Sequence, residues 1–286
     1  MDELLNLREL DPRKHLIDRL ESGDKRSDGR GLRGHRPTSI AKGILRDCAG
    51  SALVTLGGTK IIAAITLEVG RPPASHPQRG EIDVSLSVAN TCRPSPHGRD
   101  DTYDVGSAES FVRRTLRSSS CVDREGLCIS EGRSSWKVRA DVVCLCDDGN
   151  LADVALVAAV AALSGARIPE VDVSENDGVV RIKEGGTSVP LELRCVPTPL
   201  TFGIVGSSFL VDPTREEAAV ADGFVTVVAN ADGGIVSVCV PGGGAALSPK
   251  QLATCMKATI GRAKEVDGAI KGHDNGGDSG DGGAPP

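Results

Sequence analysis

The sequence predicts an α+β chain in which pseudo-duplicated mixed sheets pack against helices. Three observations predict it. From Trp136 to Val171 a strand, a tight acidic-glycine turn and an apolar helix follow one another without a break. On either side of that unit strands come as pairs joined by short glycine turns, and each round ends in a long helix. The third observation is bulk: 286 residues, 39% of them hydrophobic, can bury one large core or two tightly joined halves.

The elements follow in order. Residues 2–21 carry Leu4, Leu5, Leu7, Leu10, Leu16, Ile17 and Leu20 at helical spacing, interrupted at Asp11-Pro12. Pro12 suits the first turn of a second short helix and Asp11 its cap. Residues 1–22 therefore form an N-terminal helical segment, and 23–267 the main domain, with halves at roughly 23–165 and 166–267. Lys25 to Gly34 is a basic, glycine-rich loop in which Asp28-Gly29 forms a turn and Arg30 pairs with a carboxylate. Ile40 to Leu45, Ser51 to Leu56 and Lys60 to Leu67 read as strands, the last two joined by a Gly57-Gly58 hairpin turn. Ile82 to Ala89 alternates apolar and polar residues, as a strand with one wet face does. Val105 to Ser118 forms a helix whose apolar side is Phe111, Val112 and Leu116.

Lys137 to Cys146 reads as a buried strand and Asp147 to Asn150 as a turn. Leu151 to Leu163 is a helix apolar on nearly every side, hence buried on nearly every side. The second round pairs Thr201–Val205 with Phe209–Asp212, and Phe224–Ala229 with Ile235–Val240. A closing helix runs from Ser248 to about Val266, with Ser248 as N-cap and Pro249 at the first helical position. Residues 268–286 form a Gly/Asp tail expected to be disordered.

Composition excludes several functions. A net charge of −6 rules out a globally basic nucleic-acid grip, though not a local basic strip. Aromatics at 2% argue against stacking bases on side chains. Nine scattered cysteines contain no C-x-x-C pair, and no histidine lies at zinc-ligand spacing from them. They read as reduced thiols in an intracellular compartment, with no metal and no cofactor. The charged, amphipathic MDELLNLREL start is not a secretory leader, and no apolar run approaches a membrane span.

Chemistry concentrates at the strand-to-helix turn. Such a turn offers backbone N–H groups and a helix N-terminus to an anion. Here the position able to supply a cation is Leu151. The frame of an anion site is kept and its charge is missing. Other constellations read as structure. His97 beside Ser95 and Asp100 lacks a G-x-S-x-G nucleophile turn. PGGGAAL (241–247) lacks a Lys at the helix start. Glu216, Glu217 and Asp222 read as a solvated acidic helix rather than a metal site.

RSDGR (26–30), GSALVTLGGTKIIAAI (50–65), LCIS (127–130), the Trp136–Asn150 segment, RIPEV (167–171), VDPT-x-EE (211–217) and PGGG…LSPKQL (241–252) occur in that order. Together they resemble the RNase PH family and, more narrowly, the non-catalytic ring subunits of the RNA exosome. The resemblance implies an RNase PH-like fold (that of ribosomal protein S5 domain 2) and an ancestral activity, phosphorolysis at an RNA 3′ end. Active relatives hold phosphate on a Gly-Thr-Arg-like run, matched here by Gly149-Asn150-Leu151. Asn150 can still donate, but the guanidinium is gone.

Active relatives also carry a pair of carboxylates. Asp212 matches the first, and Ala218, six residues on, stands where the second belongs. The resemblance thus implies a silent subunit, Asp212 being vestigial, that lines the RNA path of a eukaryotic-type hexameric ring. Its partners would be other RNase PH-like subunits, S1/KH-type cap subunits and RNA, with no membrane, in nucleus, nucleolus and cytoplasm. The residues placed to meet RNA phosphates are Arg113, Arg114 and Arg117 on one helix, with Arg93 and Arg99 in the loop before it. The competing reading is an active phosphorolytic exoribonuclease using Asp212 and Asn150; a small-molecule kinase is argued against by the missing phosphate loop.

Overall fold

A computed structural model describes residues 12–21, 26–89, 105–174, 180–183, 185–206, 208–241 and 247–272. Helix α1 (Pro12–Glu21) opens on the proline, as the sequence predicts. Four strands follow: β1 (Thr38–Lys42), β2 (Gly50–Leu56), β3 (Thr59–Gly70) and β4 (Glu81–Val88). The β2–β3 hairpin turns on Gly57-Gly58, with Leu56 opposite Thr59.

Helix α2 (Val105–Ser118) then carries the chain to β5 (Cys128–Ser130) and the long central strand β6 (Ser134–Cys146). These strands make one sheet in the order β1-β2-β3-β6-β4, with β5 added to the start of β6. β4 and β6 run parallel, and α2, packed on β4, is the crossover between them.

Helix α3 (Leu151–Ser164) lies between that sheet and a second one, touching β2, β3 and β6 on one side and β11 on the other. Its run from Val154 to Leu163 is buried at every residue, which is why its sequence has no polar face. The sequence predicts no strands between residues 164 and 200. The structure has four short ones, β7 (Arg167–Pro169), β8 (Val171–Val173), β9 (Val180–Ile182) and β10 (Ser188–Pro190), paired as β7–β10 and β8–β9 ribbons. At three residues each they are too short for periodicity to register.

The second sheet has the order β12-β11-β13-β14, all antiparallel: β11 (Thr198–Val205), β12 (Ser208–Val211), β13 (Gly223–Ala229) and β14 (Ile235–Cys239). Helix α4 (Arg215–Val220) sits between β12 and β13. Helix α5 (Pro249–Gly272) closes the fold. Its first half covers Leu200, Phe202, Ile204, Val225 and Val227 with Cys255, Leu252 and Met256. Its second half sends Val266 and Ile270 into the main core.

That second contact corrects the predicted end of the helix. Residues 268–272 belong to α5 rather than to a tail, because Ile270 is 1% exposed and continues the buried stripe Cys255-Thr259-Ala263-Val266. Residues 273–286 of the expected tail lie outside the described residues.

Candidate nucleic-acid site

The turn at Asp147–Asn150 is built as the sequence implies. Gly149 has φ +92°, and a Cβ there would lie 2.5 Å from the Arg215 nitrogen and 2.8 Å from the Thr214 carbonyl carbon. Only glycine fits both the left-handed backbone and that close approach. Asn150 is also left-handed, at φ 63°. Thr59 fastens the turn from β3: its Oγ1 accepts from the Asp148 N–H at 3.0 Å and donates to the Gly149 carbonyl at 2.8 Å. Leu151 opens α3 and is 1% exposed, packed in the core.

A guanidinium nevertheless stands at this turn, and it comes from far away in sequence. Arg36, in the loop before β1, donates from Nη1 to the Asp148 carbonyl at 2.7 Å and from Nη2 to the Gly149 carbonyl at 3.2 Å. Its remaining donors go to Asp212. Nη2 reaches Oδ1 at 2.7 Å, and Nε and the backbone N–H each reach Oδ2 at 2.9 Å.

Asp212 receives two further side chains. Asn150 Nδ2 donates to Oδ1 at 3.0 Å and Arg30 Nη1 to Oδ2 at 3.3 Å. Burial alone would raise its carboxyl pKa. The hydrogen bonds and charge of Arg36, helped by Asn150, outweigh that and hold it below the ordinary carboxylate range. Asp212 is also left-handed, at φ 51°, a conformation stabilised by the partners around it.

A second buried pair locks the same loop. Arg26, 2% exposed, ion-pairs with Glu217 and donates to the Val211 carbonyl at 2.6 Å and to the Asp212 carbonyl at 2.9 Å. Glu217 is the third residue of α4 and forms a capping box with Thr214. This corrects the expected solvated acidic helix, for Glu217 is 2% exposed. Asp222 is engaged too, accepting from the Gly206 N–H at 2.8 Å and pairing with Arg13 at 2.5 Å. The basic loop is thus a turn at Asp28-Gly29 with Arg30 on carboxylates, as expected.

The first turn of α3 already holds a buried carboxyl of its own. Asp153, in the first turn, accepts from the Thr201 N–H at 2.8 Å and the Thr201 hydroxyl at 2.9 Å. Burial pushes its pKa up to about 7 against those donors and that of Asn150, and the charge on Asp212 pushes the same way. The sequence points to neither Asp153 nor the pairings of Arg26 and Arg36, and it reads Glu217 as solvated. The only local signal was the S/T-x-x-E spacing of Thr214 and Glu217.

The arginines of α2 divide into two kinds. Arg113 donates to the Val84 carbonyl at 2.6 Å and pairs with Glu109 at 2.8 Å and Asp83 at 3.0 Å. Arg117 turns to the Ile82 carbonyl at 3.3 Å and Glu81 at 3.8 Å. The strip predicted as three RNA-facing cations is therefore largely neutralised, since Arg113 and Arg117, one turn apart, both lean on β4.

Arg114 differs. It is exposed, and its one described polar contact is the Cys239 sulfur at 3.9 Å. It borders a cleft of about 690 Å³ between α2, the start of α3 and the second sheet, lined also by Ser107, Ser110, Asn150, Thr201 and Thr226. Arg93 and Arg99, with Ser95, His97, Asp100 and Cys92, lie outside the described residues, as do 242–246. The eight described cysteines are free thiols, three of them buried.

With this geometry established, relatives are identifiable. Sequence profiles of the 3′ exoribonuclease family match domain 1 over residues 34–169 and domain 2 over residues 195–262. The exosome complex component Rrp42 of Methanosarcina mazei is 31% identical over 256 residues, 90% of this chain and 92% of that protein. The Rrp42 component of Pyrococcus horikoshii is 33% identical over 255 residues, covering 89% and 91%. Among solved structures, a chain of an archaeal exosome core superposes with a TM-score of 0.76 at 30% identity, covering 95% of this chain and all of that one. The Archaeoglobus fulgidus exosome with RNA bound to the active site gives 0.74 at 31% identity, covering 89% and 96%. Sequence identity, structural superposition and the two matched domains agree that this chain belongs to the 3′ exoribonuclease family, the RNase PH family.

Proposed function

We propose that the chain is a non-catalytic subunit of an exosome ring that guides RNA while partner subunits carry out the 3′-end chemistry. One observation carries this reading: the groups a phosphorolytic site needs are already used up inside the fold. A phosphate at the α3 N-terminus requires a cation and vacant donors. Arg36 is committed to Asp212 and to two carbonyls, Asn150 donates to Asp212, and position 151 is a buried leucine. Asp212 and Asp153 also put two buried carboxyls beside the place an anion would occupy. Asp212 cannot serve as a proton donor to a leaving oxygen, since its pKa is lowered and every approach to it is taken by a donor.

What remains available is Arg114 and the hydroxyl-lined cleft around it. A single arginine with neutral hydroxyls holds a phosphodiester backbone without sequence preference, which suits a guide. Partners in this reading are other RNase PH-like subunits, the S1/KH-type caps and RNA. The test incubates the purified chain, alone and with its co-purifying partners, with 3′-labelled RNA and inorganic phosphate. The expected result is nucleoside diphosphate release by the assembly and none by the lone chain. Release by the lone chain would establish the active exoribonuclease instead.

A further inference from the structure

We infer that the solvent face of α5 is a docking surface for an acidic helix of a partner protein, which packs along it in a heptad register. The inference goes beyond the ring-subunit reading and does not depend on it.

Lys250, Lys257, Lys264 and Lys271 lie seven residues apart on this 24-residue helix. Seven residues advance a helix by about 10.5 Å and fall about 20° short of two full turns. The four ammonium groups therefore make one row of about 32 Å along a single face. All four are exposed. Lys271 pairs with Asp267 at 2.8 Å, and the other three have no carboxylate partner among the described residues. Glu265, the nearest carboxylate to Lys264 in sequence, is taken by Arg262 at 3.0 Å and His35 at 3.1 Å.

A second row runs beside the first. Four residues after each of the first three lysines stands a small residue, Thr254, Gly261 and Gly268. Glycine inside a helix costs about 1 kcal/mol relative to alanine. A Cβ at Gly261 or Gly268 would meet nothing within 4 Å, so no neighbour within the described fold requires the absence of a side chain. The two glycines instead leave open space beside the lysine row, where an outside backbone can come close.

The shared seven-residue period selects the occupant. A helix wound on α5 in a shallow left-handed supercoil meets the same face every seven residues, and its carboxylates at that spacing would meet the lysines one for one. A phosphodiester strand follows no such period and needs no such open space. On a chain of net charge −6 the row is a local exception in sign, and it draws an acidic helix to this face.

The test uses the full chain and a labelled synthetic helix of about 28 residues, four heptads, with Glu every seventh residue and Leu four positions after each. A scrambled peptide of the same composition is the control, and fluorescence anisotropy reads the affinity. The heptad peptide is expected to bind at least tenfold more tightly than the scrambled one. Combined Lys250→Glu, Lys257→Glu and Lys264→Glu should abolish that binding, and a peptide with Lys in place of Glu should restore it. Gly261→Gln with Gly268→Gln should raise Tm, since the positions are open and glutamine favours helix, while weakening the peptide at least tenfold. Equal affinity for both peptides, or unchanged affinity in the glycine variant, would overturn the inference. So would a single-stranded oligoadenylate whose binding falls in the lysine variant while the peptides show no register dependence, a result that assigns the row to RNA.

Discussion

Arg36 is tied to the turn before α3, Arg114 borders the cleft that Asn150 of the same turn also lines, and their surroundings are opposite. Arg36 is buried in a cluster with Asp212, Asp148 and the turn carbonyls. Arg114 is exposed at a cleft with no carboxylate opposite it among the described residues. The difference is set by partners and solvent rather than by residue type. A guanidinium enclosed with carboxylates is a structural tie between distant segments, because its attraction is spent internally and its removal strands a buried charge. A guanidinium left in solvent keeps its field for a ligand. The turn before α3 is thus a junction joining the loop before β1, the start of α3 and the β12–α4 segment.

Breaking the junction should give the largest effect. Arg36→Met leaves Asp212 buried with its principal partner gone and is expected to destabilise the chain by about 3–5 kcal/mol in urea unfolding. A loss under about 1 kcal/mol would show that Arg36 is a surface contact and erase the contrast with Arg114. Gly149→Ala should follow at about 2 kcal/mol or more, from positive φ and a clash with the Arg215 backbone, without altering any charge.

Little of this junction was legible in sequence, for a physical reason. The α3 helix, the Gly57-Gly58 hairpin, the glycine turn before Asn150 and the proline at the head of α1 are local, and composition and spacing announce them. The ties of Arg36 to Asp212 and of Arg26 to Glu217 span 176 and 191 residues. No periodicity encodes a pairing across two sheets. The basic loop was correctly read as a turn with Arg30 on a carboxylate, but which carboxylates its neighbours would bury could not be seen. The α2 arginines show the reverse failure. The family resemblance points to Arg113 and Arg114 and helical spacing adds Arg117, and only the placement of Asp83 and Glu81 on β4 reveals that two of the three are occupied.

The two buried carboxyls sharpen the comparison through pH. Asp153, raised from 3.8 to about 7, favours the folded state most at low pH, and that contribution declines as pH climbs toward 7. Asp212, lowered, works in the opposite sense: its contribution is present above its ordinary pKa of 3.8 and is lost as pH falls through its folded value. Unfolding free energies measured from pH 4 to 8 should therefore fall toward neutrality in the native chain by roughly 1 kcal/mol per pH unit at the steepest, other groups equal. Asp153→Asn should flatten that decline, and an unchanged profile in the variant would remove Asp153 from the explanation.

The smallest stability effect belongs to Arg114. Arg114→Ala should leave unfolding free energy within about 0.5 kcal/mol of the native chain. In the assembled ring it should weaken RNA binding and reduce the salt slope by about 0.7, the value of one single-strand phosphate contact. Arg113→Ala should show the complementary pattern, losing about 0.5–1 kcal/mol of stability because its ion pairs are part-exposed, with a lesser change in salt slope. Equal salt slopes for the two variants would mean that carboxylate partners do not decide which arginine meets RNA.

The central claim, that the turn before α3 no longer has a vacancy for phosphate, is tested most directly by titrating the folded native chain with inorganic phosphate and following the phosphorus-31 resonance. The expected result is a line width that does not saturate with protein concentration, with Arg36 remaining on Asp212. Saturable broadening that disappears in Asn150→Ala would contradict it.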